Sequence, residues 1–217
     1  MNVLSVVNNL NILKNKTTYE FNGTSFVMGN GSTLGISFTS NSQTISGQSN
    51  TKLNGIYNFT YSSTQGTDTL YKCFNSSNTI TNINFVSNGP YDQSSSPNNY
   101  KGSANVNVGG KKGDWIKIQF PNKVMWTSYV LAFTLQGSEW IDRYAYTFYI
   151  LGSNDDNTWT ELDYYSQNDT TNPIQQRTIS SPNYYKYYTY VVTQIRPNVK
   201  NGVGVTSLCY FIINGKT

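Results

Sequence analysis

The chain has 217 residues, of which 12% are charged and 15% aromatic, and a net charge of +4. That length suits one sizeable β domain, or one domain with a short extension. The low charge content excludes a charge-rich disordered tail and a coiled coil. The basic residues are dispersed and cluster only at Lys14/Lys16 and Lys111/Lys112. A nucleic-acid binder concentrates positive charge on a patch, so no nucleic-acid partner is expected. The chain has no His, which removes the commonest general base and metal ligand. No apolar run reaches the length of a transmembrane span. The opening MNVLSVVNNLNILKNK lacks the basic and continuous apolar regions of a signal peptide, and none is visible.

In chain order, Val3, Val6, Val7, Leu10 and Leu13 recur at helical spacing. This segment reads either as an anchoring or oligomerising helix or as a strand or coil packed on its own domain. Asn22-Gly23 between Thr18–Phe21 and Thr24–Met28 is a hairpin signal. Thr33–Thr39 reads as a further strand, so residues 1–42 form an N-terminal extension ahead of a domain at 43–217. Within that domain, strands are expected up to Asn54-Gly55, over Ile56–Ser62, and at the apolar runs Leu70–Phe74 and Ile83–Val86. Residues 87–113 read as a long polar loop whose aromatics before the strand are Tyr91 and Tyr100; loops of this length usually carry function or mobility. Two strands, Trp115–Phe120 and Lys123–Leu135, lead to a third at Tyr144–Leu151. Trp115, Ile116, Ile118 and Phe120 alternate with Lys117 and Gln119, the pattern of a strand with one buried face. Ser153–Asn157 offers turn chemistry, and residues 164–183 form a second polar excursion. Tyr184–Ile195 and Val205–Ile213 close the chain as strands. β-branched and aromatic runs with frequent turn signals indicate an all-β sandwich or barrel. Cys73 and Cys209 sit in apolar settings that favour two buried free thiols, with one long-range bridge as the alternative.

From about Thr44 onward the chain resembles the discoidin family, also called the coagulation factor V/VIII type C domain. The carrying segments are TISGQSN at 44–50, LYKCFNSSNTITNINF at 70–85 and GDWIKIQFP at 113–121. Arg143 followed by YILGSNDDNTWTELD at 149–163 is the most specific, with YYKYYTYVVT at 184–193 and GVGVTSLCYFII at 202–213 completing the order. The tyrosine-rich wording and the long 87–113 insertion are similar to discoidin-like domains of large DNA viruses. The resemblance implies a galactose-binding-like β-sandwich of jelly-roll type, with glycans, lipid head groups or proteins bound by loops at one end. It implies scaffold roles for Trp115, Trp159 and Arg143: core filling for the two Trp, a buried or hairpin-bracing charge for Arg143. The family's calcium-associated Asp appears here as Asn75, which leaves Asn75 and Thr79 as candidate ligands; no cofactor is expected.

Gln136, Glu139, Trp140 and Asp142 combine an aromatic face with amide and carboxylate groups, the mixture that sugar recognition uses. With Tyr91 and Tyr100 they form the candidate ligand site, on a surface made by loops 87–112, 136–143 and 164–177. Glycoside hydrolysis needs two carboxylates across one cleft. The close pairs are Glu139/Asp142 and Asp155/Asp156, and turn chemistry accounts for the second. No nucleophile elbow or phosphate loop is present. The expected function is therefore a non-catalytic, carbohydrate-recognising adhesion module on a virion or extracellular surface, with a glycan or cell-surface receptor as partner. The alternative is a structural virion protein that packs on other copies or neighbouring proteins, with residues 1–40 as the attachment element.

Overall fold

The computed structural model describes residues 23–29, 36–66, 69–75, 83–92, 94–102, 107–133, 143–166, 173–197 and 204–217. The strands are β1 (Ser25–Met28), β2 (Ser42–Ile45), β3 (Gly55–Tyr61), β4 (Phe85–Val86) and β5 (Tyr91–Asp92). They continue as β6 (Asn98–Tyr100), β7 (Asn107–Val108), β8 (Lys111–Lys112), β9 (Asp114–Ala132) and β10 (Ala145–Ser153). The last five are β11 (Trp159–Ser166), β12 (Ile174–Thr178), β13 (Tyr184–Ile195), β14 (Ser207–Leu208) and β15 (Tyr210–Lys216).

Strand β9 builds the sandwich. The sequence predicts two strands here; the structure has one of 19 residues. Its first half pairs with β3 and β13, through Gln119↔Asn58 and Gln119↔Tyr187. Its second half pairs with β15 and β12, through Leu131↔Phe211 and Leu131↔Gln175. Between the halves the β13 register jumps, with Tyr187 opposite Gln119 but Tyr185 opposite Val124. Pro121 falls in that gap, where its missing N–H costs no ladder bond. The bulge bends β9 from one layer to the other. Gly55 meets this corner with φ of 130°. A Cβ on it would lie 2.6 Å from the Pro121 Cβ, so only Gly fits.

One layer is thus β2-β3-β9-β13-β10-β11, and the other is β1-β15-β9-β12. Alternate residues of both layers fill the space between them. On β9, Ile116, Ile118 and Phe120 point inward and join Phe59, Phe74, Tyr188 and Phe211 in one core cluster. Trp126 stacks on Tyr188 with ring centroids 4.2 Å apart. An all-β sandwich was the sequence expectation, and the structure has that architecture.

Several boundaries differ from the sequence reading. Phe26, Met28, Ile36 and Phe38 belong to the sandwich core, and β1 pairs with β15. The boundary at 42 therefore does not separate residues 25–28 and 36–38 from the domain. Residues 36–39 are not a strand, although Ile36 and Phe38 are buried. Leu70–Phe74 is a 3-10 turn. The 87–113 stretch is not one loop: it contains the paired strands β5–β6 and β7–β8. The excursion at 164–183 contains β12. Strands this short and this polar leave no alternation to read. The helical pattern at 1–16 and the strand at 18–21 lie outside the described residues. Cys73 and Cys209 are both buried and are not joined in a disulfide. Burial, with the charge of Cys209 second, pushes the Cys73 thiol well up, which keeps it unreactive.

Candidate functional site

The outer face of the β2–β11 layer carries a continuous cross-strand row. The registers place Ser42 opposite Asn58, Asn58 opposite Gln119, and Gln119 opposite Tyr187. Tyr187 lies opposite Ser153, and Ser153 opposite Trp159. Hydroxyl, amide, amide, phenol, hydroxyl and indole thus stand side by side across six strands. The row arises because side chains alternate faces along each strand: its neighbours Tyr57, Phe59, Ile118 and Tyr188 all point into the core. Ser42 Oγ donates to Asn58 Oδ1 at 2.6 Å, and Asn58 Nδ2 donates to Gln119 Oε1 at 3.0 Å. This ladder holds the Gln119 side chain and leaves its amide nitrogen without a partner among the described residues. The Tyr187 hydroxyl has none either.

Beside the row, Lys117 and Asp156 form an ion pair, with Nζ 2.7 Å from both carboxylate oxygens. Lys117 stands two residues before Gln119 on the same face of β9. Its Nζ also lies 5.5 Å from the Trp115 ring centroid, within reach of a cation–π contact. Asp156 is held in position by the tight turn between β10 and β11. Asp155 Oδ1 accepts from Thr158 N at 2.7 Å, Asn157 N at 3.0 Å and Ser153 Oγ at 2.9 Å. Asp156 itself has φ of 60°, a left-handed conformation that Asp tolerates better than most residues.

Those donors, the Thr158 amide first, hold the Asp155 carboxyl below the usual carboxylate range. A depressed folded-state pKa adds stability above the unfolded value of about 3.9 and loses it as pH falls toward the folded value. The expected result is that Asp155→Asn lowers the melting temperature at pH 6, with the gap to wild type narrowing steadily below about pH 4. Thermal melts across pH 2.5–7 check this; a gap that stays constant throughout would refute the assignment.

The β7–β8 hairpin lies over the far side of the face. Lys111 pairs with Glu161 at 2.9 Å, and its Nζ sits 4.4 Å from the Tyr149 ring centroid. At the hairpin tip Gly109 has φ of 57°. A Cβ there would lie 2.5 Å from Leu151 Cδ1 and 2.9 Å from Trp159 Cβ, so glycine lets the hairpin close on Trp159. Two open grooves result. One of about 500 Å³ lies between the Gly109-Gly110 tip and the 156–159 segment. The other, of about 320 Å³, runs along Ser42, Asn58, Gln119 and Tyr187. Lys117 and Asp156 line both.

The structure distributes the sequence-predicted residues unevenly. Gln136, Glu139, Trp140 and Asp142 lie outside the described residues, as does Thr79. Tyr91 is a correction: it is buried, its hydroxyl donates to the Val192 carbonyl at 3.0 Å, and its ring meets Tyr100 edge-on. It offers a ligand no face. Tyr100 is half-buried, and desolvation with the nearby Asp114 charge pushes its hydroxyl up to about 12. The Asn75 amide is engaged at both ends by the Phe38 backbone, accepting at 2.7 Å and donating at 3.0 Å. It therefore braces residues 36–38. Among the described residues no cluster of potential metal ligands occurs. Trp115 and Trp159, expected to fill the core, are instead half-exposed on the outer face. The row residues Asn58, Gln119 and Tyr187 were missed. Period-two alternation put Gln119 outward, but only strand register brings the other two beside it.

The described ends of the predicted contact loops do meet at one end of the sandwich. Phe133 N donates to Pro173 O at 2.8 Å, Arg196 N to Tyr144 O at 2.9 Å, and Thr206 Oγ1 to Arg143 O at 3.2 Å. The β5–β6 hairpin joins them through Gln194 and Asn99.

No protein-family model matches the chain, and no curated protein matches it. Solved structures do. A two-module structure, CBM32-1 and CBM32-2 of Clostridium perfringens ZmpB, superposes with a TM-score of 0.50 at 12% identity, covering 74% of this chain and 34% of that one. CBM32-3 from a family 31 glycoside hydrolase of the same organism gives 0.49 at 13% identity, covering 72% and 88%. The family 32 module of C. perfringens NanJ, solved in complex with galactose, gives 0.48 at 10% identity, covering 73% and 93%. With its two antiparallel layers joined through β9, this chain has the galactose-binding-like β-sandwich fold.

Proposed function

We propose that this chain is a non-catalytic carbohydrate-binding module. The observation that carries the reading is the outer-face row, where the amides of Asn58 and Gln119 stand beside Tyr187 and the Ser153–Trp159 pair closes the line. Sugar rings present apolar C–H faces and a rim of hydroxyls. Half-exposed aromatic rings suit the first, and amides suit the second. Acid–base chemistry fits this site poorly. The carboxylates among the described residues are held in place: Asp156 by Lys117, Glu161 by Lys111, Asp163 by Arg177, Asp92 by Lys101 and Asp155 by its turn, while Ser62 and Ser63 donate to one oxygen of Asp114, which is buried and lines neither groove. No two of them face each other across either groove. The reading includes display on a virion or cell surface, where several copies raise weak single-site binding to useful avidity.

The test is a glycan array and titration calorimetry on wild type and Trp159→Ala, with Trp140→Ala in parallel. Wild type is expected to bind a discrete set of glycans. Trp159→Ala is expected to weaken that binding about tenfold, the equivalent of about 1.4 kcal/mol. A loss with Trp140→Ala would add residues 136–142 to the site. Failure of wild type to bind any glycan above background would reject the reading.

A further inference from the structure

The two grooves share the Lys117–Asp156 pair, which lines both. That pair is partly solvent-exposed, at 19% and 37% of the side chains. An ion pair in such a setting contributes little to stability, and its geometry is exchangeable with other hydrogen-bonding partners. Beneath it the register carries the row from β3 to β11, with Asn58, Gln119, Tyr187 and Trp159 lining the grooves and the buried Ser153 tied into the turn between Tyr187 and Trp159. Neighbouring strands stand about 4.8 Å apart, so Asn58 to Trp159 spans about 19 Å, room for roughly four linked pyranose rings.

The chemistry of the row defines the occupant. Among the residues lining the two grooves, Lys117 and Asp156 are the one cation and the one anion and they pair, so the lining itself carries no net charge to favour an acidic or a basic ligand. Its remaining groups are neutral donors and acceptors. Its aromatic residues lie on opposite sides of the ion pair: Tyr187 lines one groove and Trp159 the other. A single terminal sugar reaches one of these rings. A chain of several sugars laid across the strands reaches both.

We propose that the outer face binds an extended, uncharged oligosaccharide along the cross-strand row, recognising the interior of a glycan chain rather than its terminal residue. Lys117 and Asp156 sit at the middle of this trough and turn their hydrogen-bonding groups to the central sugars. This inference rests on the carbohydrate-binding reading and names the ligand class for the same site.

The test uses the whole protein and three uncharged series, from one to six units: cello-oligosaccharides, chito-oligosaccharides and β-1,4-galacto-oligosaccharides. Affinity by calorimetry is expected to rise about tenfold or more between the disaccharide and the tetrasaccharide of the bound series. Tyr187→Ala and Trp159→Ala are each expected to weaken the tetrasaccharide about tenfold, whereas a disaccharide responds to one of the two. Both residues are half-exposed, and circular dichroism confirms that the variants stay folded. If wild type binds glycans on the array but affinity does not rise with length in any series, the trough proposal is overturned while the carbohydrate-binding reading stands. The same holds if only one of the two variants weakens the tetrasaccharide. Binding to no glycan overturns both.

Discussion

Trp126→Ala is expected to cost about 3–5 kcal/mol of folding stability, most of what a domain of this kind has. The Trp126 side chain is fully buried. Its ring stacks on Tyr188 at an interplanar angle of 1°, and it meets Phe120 and Phe211 edge-on at 6.3 and 5.5 Å. Removing it opens a cavity at the point where β9 crosses between layers. The same point is held by hydrogen bonds, since the Tyr188 hydroxyl donates to Val124 O at 2.7 Å and accepts from Trp126 N at 3.1 Å. Trp126→Phe keeps a ring and removes an indole N–H that has no acceptor, so it is expected to cost less. Urea denaturation of the three proteins checks this. A loss below about 1 kcal/mol for Trp126→Ala would show that the crossing does not depend on this stack. Because Gln119 and Tyr187 flank the bulge, stability lost here is expected to carry the outer-face row with it.

Arg177→Ala is expected to cost about 2–3 kcal/mol. Arg177 lies on β12 in one layer, and Asp163 lies on β11 in the other. Arg177 Nη2 donates to Asp163 Oδ1 at 2.7 Å while its Nε donates to Oδ2. The Tyr129 hydroxyl donates to Asp163 Oδ2 at 2.6 Å. Burial first, and the Asp163 acceptor second, push Tyr129 well above its usual range, so it remains a donor. Asp163 is only 11% exposed, so removing its bidentate partner leaves a carboxylate poorly solvated. A double-mutant cycle with Asp163→Asn separates partner from burial effects: the loss in the double variant is expected to fall short of the sum of the two single losses by at least about 1 kcal/mol. Simple additivity would show that the clasp does not act as a unit. Since β11 begins at Trp159 and β12 leads back from the loop end, the clasp links the candidate face to the opposite layer.

The class of the fold was legible in the residues. β-branched and aromatic runs between turn residues specify strands because such side chains pack well on a pleated, half-buried surface. The Tyr184–Ile195 strand and the GSNDDNTW turn appear where the sequence puts them, since both depend on local chemistry alone. Other features were not local. Pro121-Asn122 reads as a strand break, yet the ladder continues past it because partners on β13 and β15 hold both sides. Strands of two or three polar residues, such as β5 and β7, exist only through their partners. Tyr91 looked like loop aromatic surface and is core, because the β5–β6 hairpin folds back onto β13.

By itself, the sequence determined that this is a mostly polar, aromatic-rich β-sandwich with turns of stated chemistry, and that no histidine is available for catalysis or metal binding. Those properties follow from composition and from spacing within single strands. The tertiary structure alone decided which faces of those strands meet. Trp115 and Trp159 point outward rather than into the core, because alternation sets a face and only packing chooses which face is covered. Asn58, Gln119, Tyr187 and Trp159 are far apart in the chain and share no motif. They become one row because β9 crosses between layers at Pro121 and sets the register of β3, β13 and, through β13, of β10 and β11.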